Sequence, residues 1–265
     1  MTTVTPQRPF IDRLIEEARD LAEEAERQGI SVRLMGGVGI KLLLEGRFEP
    51  KFQRPYRDLD ILVRRRQRRD VERLLADRGW EPAAAFNALS GARRLLFQDP
   101  LSEAQIDVFV ETFEMCHTLP LADGLSSPGP SLPATDLLMS KLQIVQLNAK
   151  DRSDCYALLK GCPVEDGDHR ALQPQRMTKL TASDWGLHHT FELNFQRLLE
   201  GLDQTALAPA SAAIITSAIG DLTRAVDRAP KSRGWKMRSR IGERRRWYEE
   251  PEEVDRSTLP PPLEG

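Results

Sequence analysis

Hydrophobic spacing in the first 45 residues predicts a helix, a strand and a second helix. Apolar residues recur at three- and four-residue steps over residues 8–29, with Glu and Arg on the other face, which is typical of an amphipathic helix. A short apolar stretch, residues 31–35, predicts a strand that leads directly into Gly36 and Gly37. Residues 38–45 are apolar enough to form a buried helix.

Three later segments are strand candidates, and two of them alternate between apolar and polar positions, as strands with one buried face do. In residues 58–63, Leu59, Ile61 and Val63 fall on one side and Asp58 and Asp60 on the other. Segments 93–97 and 105–110 are further strand candidates, joined by a turn at Asp99-Pro100 that suits a hairpin. A helix is expected between them and the first strand, over residues 67–78, with Val71, Leu74 and Leu75 facing inward.

The pattern changes after Thr118, where prolines and glycines predict a linker. From Thr135 onward it is mostly helical, with helices expected over 135–149, 151–161, 177–200 and 204–229. Residues 231–246 hold eight basic residues and one acidic residue, and 249–255 hold five acidic residues. We therefore expect three parts: a domain over 1–125, a helical domain over 126–230, and a charged, partly flexible tail over 231–265.

Composition limits the class of protein. The 265 residues are 40% hydrophobic and 29% charged with a formal net charge of −2, which fits a globular protein and not one that coats nucleic acid. No apolar run approaches the ~18 residues of a membrane span. Three cysteines and no signal-peptide pattern predict a cytoplasmic protein without membrane contact.

Three carboxylates form the most informative pattern. Asp58 and Asp60 leave the same face of their strand, and Asp107 points away from the apolar row of its own strand. If the two strands are neighbours, the three carboxylates converge and repel one another unless a cation neutralises them. Oxygen ligands of this kind select Mg²⁺ or Mn²⁺, and two such ions serve in-line attack at phosphorus. Asp58, Asp60 and Asp107 are therefore the candidate metal ligands.

Gly36 and Gly37 provide the second part of the candidate site. Glycines between a strand and a helix let the backbone approach a ligand closely, and the free N–H groups of the helix start favour phosphate. Arg57, directly before Asp58, can reach a phosphate from the same strand. The pattern is that of a nucleoside triphosphate site.

Together these residues resemble the nucleotidyltransferases of the DNA polymerase beta type, whose motif is a Gly-Gly turn, an Asp-x-Asp strand and a third carboxylate on a later strand. The resemblance covers roughly residues 31–160. It implies an α+β fold, with a small mixed β-sheet nucleotidyltransferase domain, flanking helices and then a helical domain. It also implies that Asp58, Asp60 and Asp107 bind Mg²⁺ (or Mn²⁺) and that Gly36 and Gly37 bind the phosphates.

The helical part is similar to the AbiEii-like nucleotidyltransferases, which include toxins of toxin–antitoxin systems. Residues 136–146 and 150–154 carry this similarity, which places Lys141 and Asp154 in the nucleotide site. A Lys on a helix that faces the sheet can neutralise a triphosphate. Asp151 and Asp154 share one helical face and can hold that Lys or a nucleotide hydroxyl.

The resulting expectation is a metal-dependent nucleotidyltransferase that moves a nucleoside monophosphate from an NTP to RNA, a protein or a small molecule and releases pyrophosphate. A toxin role would add an antitoxin protein as a partner. The alternative is a catalytically weak or inactive module of the same fold that binds a nucleotide or a partner. Val38, where the family usually has Ser or Thr, favours that alternative.

Two basic regions keep two interpretations each. The run Arg64, Arg65, Arg66, Arg68 and Arg69 is either a solvated strand end or a contact to RNA phosphates near the active site. The basic residues of 231–246, with the aromatic residues Trp235, Trp247 and Tyr248, either bind RNA by charge and stacking or fold back on the acidic segment that follows.

Overall fold

A computed structural model describes residues 10–102 and 104–250. The first part of the chain alternates helices and strands and ends in a hairpin. Its elements are α1 (Phe10–Arg27), β1 (Val32–Met35), α2 (Gly36–Leu43), β2 (Asp58–Val63), α3 (Arg68–Asp77), β3 (Glu81–Pro82), α4 (Ala84–Ser90), β4 (Arg94–Gln98), β5 (Gln105–Val110), β6 (Thr112–Glu114) and β7 (Thr118–Pro120).

The second part consists of helices joined by loops, within the described residues. Its elements are α5 (Ala134–Leu142), α6 (Ala149–Gly161), α7 (Pro174–Thr181), α8 (Trp185–Leu202), α9 (Pro209–Arg228) and α10 (Arg233–Ile241). The whole is therefore a mixed α+β fold, as the sequence predicts.

Five strands form one mixed sheet in the order β1-β2-β5-β4-β3. Strands β2 and β5 run parallel at its centre, and the neighbouring pairs β1·β2, β4·β5 and β3·β4 are antiparallel. The expected adjacency of residues 58–63 and 105–110 is thus confirmed. The segment between β4 and β5 is the hairpin that Asp99-Pro100 indicates.

The two faces of the sheet contact different hydrophobic cores, because side chains alternate along each strand. One face carries Leu59, Ile61 and Val63, which pack with the apolar stripes of α1 and α3. The other face carries Leu62 and Phe109, which pack with the helices of the second part. The sheet and the helical part therefore share one core, while the domain boundary expected at residues 125/126 stays a prediction.

Several predicted helices have different bounds in the structure. The expected helix 135–149 ends at Leu142, and a new helix begins after Asn148, whose side chain accepts the Asp151 N–H at 3.0 Å. Asn148 is therefore the N-cap of α6. The expected helix 177–200 is two helices, because Asp184 caps the start of α8 by accepting the Leu187 N–H. The helix predicted over 204–229 begins only at Pro209, and proline suits the first helical position.

Other elements were not expected from the sequence. Helix α4 and the β6–β7 hairpin lack a recognisable hydrophobic period. In the charged tail, α10 forms over Arg233–Ile241, and residues 251–265 lie outside the described part of the chain. None of the helices described in residues 10–250 is long and apolar enough to span a bilayer.

Leu62 offers a test of the core that the sheet shares with the helical part. Its side chain is fully buried and belongs to the core that also contains residues of α5, α6 and α8, so Leu62→Ala leaves a cavity and lowers the free energy of unfolding by about 2–5 kcal/mol. Urea denaturation measures the loss. Leu89→Ala, at a position 90% exposed on α4, serves as the control and changes stability by less than about 0.5 kcal/mol. Equal effects of the two variants would contradict the shared core.

Candidate active site

The three predicted carboxylates lie on one face of the central parallel pair of strands. In the register of β2 against β5, Asp60 is directly beside Asp107 and Asp58 is beside Gln105. Asp58, Asp60 and Asp107 all line one cavity between the sheet and the helical part. The sequence argument that these side chains converge is thus supported by the backbone register, while their metal-binding role stays a prediction.

The surroundings of Asp60 raise its pKa. Burial, followed by the negative charges of Asp107 and Asp58, raises the pKa of Asp60 to about 7, although Lys141 and Arg94 act in the opposite direction. A carboxylate is held at such a cost when a ligand or cation supplies the missing positive charge. Asp60 is therefore a strongly perturbed acid at the centre of the sheet.

Asp107 already has a cationic neighbour. The Nε of Arg94, on the adjacent strand β4, donates to Oδ1 of Asp107 at 2.8 Å. The Arg94 guanidinium also lies 5.2 Å from the centre of the Phe109 ring and 5.7 Å from that of Phe86. Arg94 is a charged member of the site that the sequence analysis missed, because nothing in the sequence pairs it with Asp107.

The donor chemistry of the site fits a hard divalent ion, since Asp58, Asp60 and Asp107 offer only carboxylate oxygens. The three side chains do not form a complete coordination site, because within residues 10–102 and 104–250 no group of three or more His, Cys, Asp and Glu side chains is placed to hold a metal. A bound ion would take up the repulsion that raises the pKa of Asp60. It would also share Asp107 with Arg94 or displace it.

Gly36 forms the glycine side of the cavity. It is the first residue of α2, which therefore starts two residues before the predicted helix, and its φ of +61° favours glycine. A Cβ at this position would lie 1.8 Å from Oδ2 of Asp60. The N-cap residue Met35 makes no side-chain hydrogen bond to the first turn of α2, which begins beside Asp60.

The other two predicted phosphate contacts, Gly37 and Arg57, are not among the residues that line the cavity, and their role stays a prediction. Gly37 is buried, and a Cβ there would meet the Arg54 and Tyr56 side chains, so this glycine permits close packing of protein against protein. Val38 packs into the core with α1, which explains an apolar residue after the glycines. Arg57 is exposed and is not among the residues that line the cavity.

A buried charge cluster forms the opposite wall. Nζ of Lys141 on α5 lies 2.9 Å from Asp151 and 3.1 Å from Asp154, both on α6. The guanidinium of Arg54, from the loop before β2, donates to both carboxylate oxygens of Asp154 at 3.0 and 2.7 Å. The sequence predicted that Asp151 and Asp154 hold Lys141; it missed Arg54, which lies a hundred residues away from its partner.

The pKa values of this cluster follow from its charges. Burial alone would raise the pKa of Asp154, but Lys141 and Arg54 outweigh it and hold that pKa below its ordinary value. Burial would lower the pKa of Lys141, yet Asp154 and Asp151 raise it above the ordinary value of a lysine. Both directions describe a charged, mutually compensating cluster at neutral pH.

The sheet and the charge cluster bound a cavity of about 1060 Å³, which is large enough for a nucleotide together with a second reactant. Its inner surface joins Asp58, Asp60 and Asp107 to Lys141 and Asp151. Arg246, Tyr248 and Glu250 of the C-terminal region also line it. The sequence pattern does not predict these three residues at the site.

The run of arginines after β2 is remote from the carboxylates. Arg64, Arg65 and Arg66 follow the carboxyl end of β2 and line a separate shallow surface with Glu111, whereas Asp58 and Asp60 lie at the amino end of that strand. The structure thus places Arg64, Arg65 and Arg66 at the opposite end of β2 from Asp58 and Asp60, and an RNA contact of this run stays a prediction. Arg64 donates to Ser126 Oγ, and Arg65 donates to the Ala92 carbonyl.

Comparisons with known proteins agree with this architecture in outline. Residues 11–121 match the model of a family described as "Uncharacterised nucleotidyltransferase". The match spans less than half of the chain but includes Gly36, Asp58, Asp60 and Asp107. It supports the nucleotidyltransferase resemblance for that region, and the AbiEii-like subtype stays a prediction. No curated protein matches the chain.

Two solved structures are similar at low identity. The lincosamide antibiotic adenylyltransferase LnuA, solved with lincomycin bound, is 16% identical with a TM-score of 0.40 over 54% of this chain and 94% of its own. An antigenic nucleotidyltransferase-like protein from Paracoccidioides brasiliensis is 15% identical with a TM-score of 0.42 over 83% and 95%. These overlaps are too loose to transfer a function.

Removing the Lys141 charge tests the buried cluster. Lys141 is only 13% exposed, and Lys141→Met leaves Asp151 without its cation while Asp154 keeps Arg54. Loss of one partner from a buried pair costs about 3–5 kcal/mol, so the urea midpoint falls. Lys150→Met, exposed at the start of α6, is the matched control and leaves the midpoint within error. A midpoint for Lys141→Met equal to that control would contradict the cluster.

Acid stability tests the pKa of Asp154. Its folded pKa is depressed below the unfolded value of about 3.9, so its contribution is complete above that value and is lost as pH falls through the folded pKa. Asp154→Asn is less stable than wild type at pH 7 but loses less stability between about pH 5 and pH 3. Urea unfolding at several pH values measures both slopes, and parallel slopes would refute the assignment.

Proposed function

We propose that this protein is a metal-dependent nucleotidyltransferase of the EC 2.7.7 type, which moves a nucleoside monophosphate from an NTP to an acceptor. The observation that carries the proposal is the register of Asp60 beside Asp107, with Gly36 and the open first turn of α2 next to them. The neighbouring pair of carboxylates accounts for cation binding. The helix start accounts for phosphate binding.

Each wall of the cavity has its own role in this proposal. The N–H groups at the start of α2 hold the non-transferred phosphates, and the absence of a Cβ at Gly36 lets them come close to Asp60. Asp58, Asp60 and Asp107 hold Mg²⁺ or Mn²⁺, which when bound neutralises the phosphate charge and the developing charge of the leaving group. Lys141 adds positive potential from the helical wall.

Asp107 lies on the side of the pair away from Gly36 and is placed to receive the proton of the acceptor hydroxyl. The acceptor oxygen forms a bond to the α-phosphorus, the bond between that phosphorus and the bridging oxygen of the β-phosphate breaks, and pyrophosphate leaves with the electron pair. Catalysis by this chain is then mostly orientation and charge stabilisation. Arg94 moves or shares its hydrogen bond when Asp107 takes up this role.

The acceptor is RNA, a protein or a small molecule. The AbiEii-like similarity rests on Lys141 and Asp154, and the contact between them at 3.1 Å supports treating the two as one unit of the nucleotide site. On that basis we include a toxin role, with an antitoxin protein as the partner and ATP or another NTP as the donor.

One observation favours the alternative of an inactive or weak module that binds a nucleotide or a partner. Arg94 already neutralises Asp107, which is the arrangement expected where no ion is needed. Calorimetry with each NTP and Mg²⁺, followed by a pyrophosphate assay, separates the two. Binding without pyrophosphate release identifies the module.

Asp60→Asn is the decisive substitution. It removes a cation ligand from the centre of the site, so pyrophosphate release falls at least about a hundredfold. The melting temperature does not fall, because the change also removes the repulsion between Asp60 and Asp107. Asp77→Asn, on the exposed end of α3, is the control with full activity. Near wild-type release by Asp60→Asn would reject the site.

A further inference from the structure

Residues 245–250, named here the C-terminal segment, are fixed to the protein by Trp247. The Trp247 Nε1 donates to Thr190 Oγ1 at 3.1 Å, and its ring meets Trp185 and His189 edge-on at 6.4 and 5.1 Å. The backbone N–H of Glu249 donates to the Cys116 carbonyl at 3.0 Å. The segment is thus anchored between α8 and the turn of the β6–β7 hairpin.

Arg246 and Tyr248 flank this anchor on either side. The Tyr248 ring meets the Trp247 ring edge-on at 5.3 Å, so the anchor also positions Tyr248. Both Arg246 and Tyr248 line the cavity of the candidate active site, and the Arg246 guanidinium lies 4.8 Å from the Tyr248 ring centre. Arg238 donates to the carbonyls of Arg245 and Arg246 at 2.7 and 3.3 Å, which holds the backbone in place.

The C-terminal segment borders the side of the cavity that is remote from the phosphate turn. In the sheet order β1-β2-β5-β4, Gly36 follows β1, Asp60 and Asp107 are central, and Arg94 begins β4. Glu249 and Glu250 line a small neighbouring cavity with residues of α4, β4 and β6. A triphosphate on α2 therefore leaves the β4 side, next to Asp107, for the second reactant.

The C-terminal segment brings charges of both signs to this side of the cavity. It contains Arg245 and Arg246 at one end and Glu249 and Glu250 at the other, and all four are exposed. Arg246 forms an ion pair with Glu250, whose side chain is 77% exposed. Exposed ion pairs contribute little stability, so an anionic group of a substrate can replace Glu250.

We propose that the C-terminal segment forms the acceptor-binding half of the site, with Tyr248 stacking on a planar ring and Arg246 binding an adjacent anionic group. This is the chemistry of a nucleotide unit, whether it ends an RNA strand or is a free nucleotide. The inference rests on the proposed nucleotidyl transfer. It assigns the acceptor to residues outside the region that matches the family model.

Fluorescence anisotropy with a labelled single-stranded RNA of about 12 nucleotides tests the assignment, with the NTP half filled by a non-hydrolysable triphosphate. Tyr248→Ala weakens binding about tenfold, and Tyr248→Phe retains it because the ring remains. Arg246→Ala weakens binding and reduces the slope of log K against log salt by about 0.7. Glu250→Gln strengthens binding, because it removes the competing carboxylate. Arg73→Ala, exposed on α3 behind the sheet, is the control that binds as wild type.

Two further measurements decide the remaining outcomes. Competition by AMP separates the sources: displacement of the RNA at similar concentrations points to a free nucleotide as acceptor, and weak displacement points to an RNA end. RNA binding that is unchanged in Arg246→Ala and Tyr248→Ala would overturn the proposal, as would a loss of NTP affinity in these variants when no acceptor is present. If RNA binding depends on the C-terminal segment but the protein releases no pyrophosphate, the proposed nucleotidyl transfer is overturned. The assignment of the acceptor surface is supported in that case.

Discussion

The parallel register of β2 and β5 brings two negative charges side by side, and much of the described structure compensates for this contact. Like charges directly opposite each other weaken a sheet, and burial together with the charges of Asp107 and Asp58 raises the pKa of Asp60 to about 7. The protein surrounds the pair with Arg94 on the neighbouring strand, Lys141 on α5 and the positive end of α2. Each of these positive groups reduces the repulsion between Asp60 and Asp107.

The helical part also contributes positive charge that compensates the two carboxylates. Lys141 reaches the cavity from α5 because Asp151 and Asp154 hold it from α6, and Arg54 ties Asp154 to the loop that leads into β2. Leu62 and Phe109 connect the same sheet face to the helical core. The distance between the carboxylates and Lys141 is therefore determined by packing and by charge together.

The parts of the site that repeat within one strand were predictable, and the contacts between distant elements were not. A period of two in residues 58–63 and 105–110 indicates both the core row and the carboxylate row. Arg94 and Arg54 carry no such signal, because their partners are 13 and 100 residues away. The helix break at residues 143–148 was missed because the capping side chain of Asn148 decides it, and periodicity does not register a single cap.

The C-terminal segment follows the same physical logic as the sheet. An exposed charged tail that served only solubility would not need a half-buried Trp247 in ring contact with Trp185 and His189, nor a backbone held by Arg238. The anchor orders Arg246 and Tyr248, and ordering two side chains costs conformational entropy. Both side chains line the cavity that contains Asp60 and Asp107. Because they are already ordered, binding of the second reactant at this wall costs less conformational entropy. Charge repulsion at the carboxylates and ordering at the segment are thus two costs that one bound substrate pair would offset.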